Sequence, residues 1–277
     1  MAQPVLSSAA SPAPRGYLLI VGGSERLDRH LRLLRTYLEL CNAVPGRRDI
    51  VIITSATGHP EALGGEYIRH FREMGWPRDL IHMPPLATRE EASDPAVAGI
   101  IAGAAGIYMT GGDQVDLVDI LQGTAAGDAM WAAYRAGAIV GGTSAGATAI
   151  GDPMIARGGG SGELKRGEIT LHPGFAFAGT NLIIDTHFGR RGRFPRLVAA
   201  IDEHPTAMGI GIDENTALLI RPDSPHAEVL GSGVVYLIEC PADPPTADPH
   251  YGTIGVAPLT LYILREGQRY ELPTSAK

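Results

Sequence analysis

The chain has 277 residues, with 23 Lys and Arg against 30 Asp and Glu for a formal net charge of −7. That length suffices for a full hydrophobic core in one α/β domain, and the acidic balance argues against a nucleic acid backbone or an anionic membrane as the main partner. The two cysteines, Cys41 and Cys240, are far apart in sequence and lack metal-ligand spacing, so both read as reduced residues and no disulfide framework is expected.

Residues 1–15 are rich in Ala, Ser and Pro without an apolar signal-peptide core, which predicts a disordered lead-in before a single domain over 16–277. Residues 17–21 form an apolar strand ending in Gly22-Gly23-Ser24, and leucines at helical spacing follow over 29–40. Residues 49–54 read as a second strand and 60–75 as a helix with Tyr67, Ile68 and Phe71 turned inward. A third strand is expected at 80–83. A fourth at 106–110 runs into Gly111-Gly112-Asp113-Gln114, and 117–134 reads as one helix. The buried strand 136–140 then leads into Gly142-Thr143-Ser144-Ala145-Gly146, with a helix starting over 145–150.

Beyond residue 150 the texture changes. Residues 157–162 form a glycine loop that is either a lid or a spacer, 181–185 reads as a strand, and 241–249 as a Pro-rich loop. Short strands at 217–220, 233–238 and 259–264 suggest an antiparallel extension of the sheet. The whole pattern predicts an α/β fold with a mostly parallel sheet covered by helices on both faces. Sites in such sheets gather at the carboxyl ends of strands, which places the glycine turns at Gly22, Gly111 and Gly142 on one rim. No stretch has the uninterrupted apolar length to cross a bilayer, so the expected location is the cytoplasm.

The chemistry centres on Ser144. Gly-x-Ser-x-Gly between a buried strand and a helix start is how a chain presents a serine nucleophile, because backbone must pass close on both sides of the turn. The amide of Ala145 would point at a developing oxyanion. A serine needs a base, and among nine histidines His187 stands at a strand end, in Asp185-Thr186-His187-Phe188, with His172 as the rival. The base in turn needs an acid to fix its tautomer. Residues 210–217 carry Asp213 and Glu214 between strand-like flanks; on a strand they would point to opposite faces and only one would reach the site, and a solvated turn carrying both charges is the equal alternative. The run Arg190-Arg191-Gly192-Arg193-Phe194-Pro195-Arg196 places four guanidinium groups after His187, either as a solvated face or, as favoured in an acidic protein, for an anionic substrate.

Five blocks in order carry a family resemblance: Met109-Thr110-Gly111-Gly112-Asp113-Gln114, Gly142-Thr143-Ser144-Ala145-Gly146-Ala147, Ile184-Asp185-Thr186-His187-Phe188, Arg191-Gly192-Arg193, and Gly211-Ile212-Asp213-Glu214-Asn215-Thr216-Ala217. They resemble the cyanophycinase and dipeptidase E family of serine peptidases, whose fold is similar to that of class I glutamine amidotransferases. The likeness runs from about residue 17 to the end. It implies an exopeptidase that degrades cyanophycin, a polyaspartate with arginine on each β-carboxylate, to β-Asp-Arg dipeptides; the alternative is a dipeptidase E-like enzyme acting on short aspartyl or isoaspartyl peptides. It further implies Ser144 as nucleophile, His187 as base and Glu214 as its orienting acid. Ala145, Gly111 and Gly112 would form the oxyanion hole, and Gln114, Asp185, Thr186, Arg191, Arg193 and Arg196 would contact substrate. Thr186 departs from the Gln common in the family at that place, which bears on substrate fit. The family implies a homodimer. No nucleotide, metal or flavin motif is present, because Gly22-Gly23 lacks the later glycine of a dinucleotide fingerprint, so no cofactor is expected. A non-catalytic binding module is disfavoured because serine, histidine and acid are all in place, and an amidotransferase because its elbow holds cysteine.

Overall fold

The computed structural model describes residues 16–28, 31–158, 167–240 and 258–272. The expected lead-in, the loop at 159–166 and the Pro-rich loop at 241–249 lie outside them. In chain order the first half contains β1 (Leu18–Val21), α1 (Arg32–Asn42), β2 (Ile50–Ile53), α2 (Pro60–Glu73), β3 (Ile81–His82), α3 (Arg89–Ala92), α4 (Pro95–Gly103), β4 (Gly106–Met109), α5 (Gln114–Leu121), α6 (Ala125–Arg135), β5 (Ile139–Thr143) and the single turn α7 (Ala145–Thr148). The second half contains β6 (Met154–Gly158), β7 (Ile169–His172), β8 (Leu182–Thr186), α8 (Phe194–Glu203), β9 (Met208–Ile212), β10 (Thr216–Ile220), β11 (His226–Gly231), β12 (Val234–Glu239), β13 (Thr260–Arg265) and β14 (Arg269–Glu271).

The main sheet runs β14-β11-β10-β1-β5-β4-β2-β3. Its β1, β5, β4, β2 and β3 are parallel, while β10, β11 and β14 add antiparallel strands beyond β1. The central parallel strands are buried and mostly apolar because both faces are covered. Strand alternation divides them. Leu19, Val21, Ile50, Ile52, Tyr108 and Ile139 pack with Tyr37, Tyr67 and Phe71 of α1 and α2. Leu18, Ile20, Val51, Ile53, Ile107, Met109 and Val140 pack with Leu117, Val118 and Met130 of α5 and α6. Burial of a side chain the size of Phe71 contributes about 1.5–3 kcal/mol. No helix among the described residues is long and apolar enough to cross a membrane.

Three expectations are corrected. The strands at 233–238 and 259–264 do not extend the main sheet, because β12 and β13 join β9 and β8 in a second sheet ordered β13-β12-β9-β8. The helix expected over 117–134 is two helices. Gly123 has φ 72, and the side chain of Thr124 accepts from the Gly127 amide to start α6 anew. Asp213 and Glu214 lie on no strand; they form the turn from β9 in the second sheet to β10 in the main one.

Within the second sheet β8 and β9 are parallel, with Thr186 opposite Ile212. Their carboxyl ends meet the carboxyl end of β1, since the His187 amide donates to Gly22 O at 2.8 Å and the Asn215 amide to Gly23 O at 2.8 Å. The rim therefore gathers residues from both sheets.

Candidate active site

Ser144 links β5 to α7 with φ 52 and ψ −113, a conformation L-residues rarely adopt. The glycines around it are there for space. A Cβ on Gly142 would lie 2.4 Å from Gly146 O, and one on Gly146 would lie 2.3 Å from Met109 O. The Ser144 amide donates to Val21 O at 3.1 Å, which fixes the turn against β1. Ala145 opens α7, so its amide is one of those with no acceptor inside the helix. Gly111 follows closely: its Cβ position is 3.8 Å from Ser144 Oγ. The turn that holds it is anchored by the Asp113 amide on Ala56 O at 2.6 Å.

His187 follows β8, also at positive φ (50°). Its Nε2 is 2.9 Å from Ser144 Oγ and its Nδ1 is 2.7 Å from Glu214 Oε1. The ring lies flat on Gly23, where a Cβ would come within 2.3 Å of Cε1. Ser24, Ser144, His187 and Asn215 all have positive φ. Such strained non-glycine residues collect where surrounding structure holds a functional geometry.

Electrostatics set the protonation states this geometry needs. Burial pushes the His187 imidazole below its ordinary value, and the charges of Arg191 and Arg193 push the same way against the raising influence of Glu214. Burial would raise Glu214, but the hydrogen bond and charge of His187, the charge of Arg190 and a hydrogen bond from Ser24 outweigh it and hold the carboxyl low. A neutral imidazole beside a hydroxyl, backed by a carboxylate, can take the hydroxyl proton.

The remaining sequence-predicted residues divide. Between the two acids, Glu214 faces His187, while Asp213 accepts from the amides of Gly189 at 2.8 Å and Val234 at 3.3 Å and closes the turn. The rival His172 is elsewhere, its Nε2 3.3 Å from Asp119. The picture of an arginine run beside the base is corrected. Arg193 and Arg196 turn inward onto Asp185, which is fully buried: Arg196 Nε is 2.6 Å from its Oδ2 and the Arg196 fork also reaches Oδ1, with Arg193 at 3.2 Å. Burial lowers the Arg193 guanidinium to about 10 even so. Asp185 is therefore engaged by two protein cations rather than open to a substrate guanidinium. Arg190 is 3.7 Å from Glu214, and Arg191 is exposed. Gln114 donates its amide to Ile155 O at 2.7 Å and Ala156 O at 3.0 Å, tying α5 to β6. Thr186 is buried, and its carbonyl accepts from Arg193 at 2.7 Å.

Sequence reasoning missed Glu25, a carboxylate only 1% exposed behind the rim. Its partners lie 42, 83 and 118 residues downstream, so no local signal announces it.

Comparison with known proteins identifies the family. The profile of peptidase family S51 matches residues 18–227. Cyanophycinases from Trichormus variabilis and Nostoc sp. are each 35% identical over 265 residues, covering 94% of this chain and 87% of theirs. The crystal structure of a peptidase from an acI-B1 Actinobacterium superposes with a TM-score of 0.70 at 23% identity, covering 93% of this chain and 97% of that one, which shows the shared fold. The chain belongs to peptidase family S51 and is a hydrolase of the serine-peptidase type.

Proposed function

We propose that this peptidase hydrolyses cyanophycin to β-Asp-Arg dipeptides through an acyl-enzyme on Ser144. The observation that carries the reading is the unbroken chain from Ser144 Oγ to His187 Nε2 at 2.9 Å and from His187 Nδ1 to Glu214 Oε1 at 2.7 Å. Ser144 Oγ bonds to the scissile carbonyl carbon as its proton passes to Nε2, and Glu214 holds the resulting imidazolium. The amides of Ala145 and of the Gly111-Gly112 turn receive the negative charge on the carbonyl oxygen. Collapse breaks the C–N bond, His187 returns the proton to the leaving amine, and water then repeats the sequence on the ester.

For the substrate, exposed Arg191 supplies a cation for a main-chain carboxylate. Arg193 and Arg196, neutralised and aimed by Asp185, form a fixed wall beside it, with Thr186 next in the strand. Gln114 has its nitrogen engaged, so its contact with a substrate guanidinium would run through the carbonyl oxygen. The same reading includes a homodimer, for which exposed Leu261, Tyr262 and Ile263 on edge strand β13 offer an apolar surface. It includes cytoplasmic residence, in keeping with the free cysteines Cys41 and Cys240.

The test is product analysis. Purified enzyme clears a cyanophycin suspension and releases β-Asp-Arg, and Ser144→Ala does neither. Faster cleavage of short aspartyl dipeptides than of polymer would assign the dipeptidase reading instead, and clearance by Ser144→Ala would remove the serine from the mechanism.

A further inference from the structure

Glu25 begins a single 3-10 turn after β1, and its carboxylate is buried among hydroxyls. Tyr67 of α2 donates to Oε1 at 2.5 Å and Tyr108 of β4 donates to the same oxygen at 3.1 Å. Thr143, the residue before Ser144, donates to Oε2 at 2.6 Å. Burial and the nearby Glu25 charge both raise the two tyrosines, so they stay protonated as donors. A carboxylate held by three O–H groups is a junction, because every one of those donors belongs to a different element.

The position of that junction gives it a role. The loop from Gly22 to Glu25 holds the base and the acid's turn: Gly22 O accepts the His187 amide, Gly23 O accepts the amide of Asn215 next to Glu214, and the His187 ring rests on Gly23. On the serine side, Glu25 connects this loop to β5, its Oε2 holding Thr143, next to the Ser144 amide that is bonded to Val21 O at the end of β1. We infer that Glu25 is a positioning residue for catalysis: it locks the loop that carries His187 and Glu214 to the strand end that carries Ser144. The inference rests on the serine-nucleophile reading above. Catalytic rates respond steeply to such registration, with about 10²-fold lost for a misplacement near 1 Å.

The test uses Thr143→Val, which removes the hydroxyl at similar size, Thr143→Ser, which keeps it, and Glu25→Gln, which puts N–H groups where an acceptor is needed. Two readouts are taken on the full chain: the rate at which a fluorophosphonate labels Ser144, and kcat and KM on cyanophycin. Circular dichroism establishes the folded fraction. The expected result is a labelling rate and kcat about 10- to 100-fold lower in Thr143→Val and Glu25→Gln, KM within about 2-fold of wild type, and recovery in Thr143→Ser. Wild-type labelling per folded molecule in Thr143→Val, or an equal loss in Thr143→Ser, overturns the role of Glu25. A wild-type enzyme that labels on Ser144 but leaves cyanophycin intact defeats the substrate reading alone, since the labelling rates still decide on Glu25. Absence of labelling at Ser144 in the wild type overturns both.

Discussion

Replacing Gly23 by alanine inserts one methyl group against His187, the proposed base. The new Cβ would lie 2.3 Å from His187 Cε1, 2.6 Å from Nε2 and 2.9 Å from Nδ1. Two non-bonded carbons rest near 3.5–4.0 Å, so ring or loop must move by about 1 Å or more. The backbone side resists, because Gly23 has φ 106 and its carbonyl is held by Asn215. A ring displaced that far stretches its 2.9 Å contact with Ser144 Oγ beyond hydrogen-bond range. The expected loss is about 10²-fold in kcat, with KM nearly unchanged since no substrate contact is altered. Strain from an L-residue at that φ also lowers stability by about 1–3 kcal/mol. Steady-state kinetics at a temperature where the variant is folded separates the two effects. A folded Gly23→Ala enzyme with wild-type kcat would refute the reasoning, since the base would then tolerate a methyl group where its ring now lies.

Other perturbations follow from the site's charges. With His187 as the proposed base and its imidazole held below its ordinary value, kcat/KM is expected to stay level to below about pH 6.5 and to fall only as the ring takes a proton. Arg191→Ala removes a charge that opposes imidazolium, so the acid limb moves to higher pH; a limb that stays put or moves down contradicts this. Glu214→Gln removes the partner that favours imidazolium, and the limb moves to lower pH while kcat drops by up to about 10⁴-fold. An unshifted limb with full kcat would show that Glu214 does not orient the base. Asp185→Asn leaves Arg193 and Arg196 in a buried site without their counter-charge, for an expected loss of about 3–5 kcal/mol in urea unfolding. A loss under about 1 kcal/mol would mean that water or a shifted side chain already screens them.

What the sequence discloses is set by the range of the interactions involved. The strands at Leu18–Val21, Ile50–Ile53, Gly106–Met109 and Leu182–Thr186 are short apolar runs within a residue of where the pattern puts them, whereas the strand expected over 136–140 is Ile139–Thr143, because α6 runs to Arg135 and its C-cap takes Ala136. Ser144 and His187 were legible because both stand at strand ends, where backbone geometry alone dictates exposure on the rim. The break between α5 and α6 had local signals in Gly123 and Thr124, overridden by the apolar spacing on either side. The capping box at Thr88 and Glu91 likewise marked a helix that the strand-to-strand pattern passed over. Asp213 and Glu214 could not be separated by alternation, because they are in a turn between two sheets and Asn215 there has φ 53. The inward turn of Arg193 and Arg196 depends on α8 packing over β8, a tertiary event. Glu25 depends on three elements at once.

The proposed chemistry rests on one serine, Ser144, activated through His187 and Glu214. Its most direct test is to titrate the active enzyme with a fluorophosphonate, follow residual cyanophycin hydrolysis, and map the adduct by peptide mass spectrometry. Activity is expected to fall in proportion to a single adduct on Ser144, and His187→Ala to take up the probe far more slowly. Full modification of Ser144 with hydrolysis intact, or inactivation with the adduct on another residue, would contradict it.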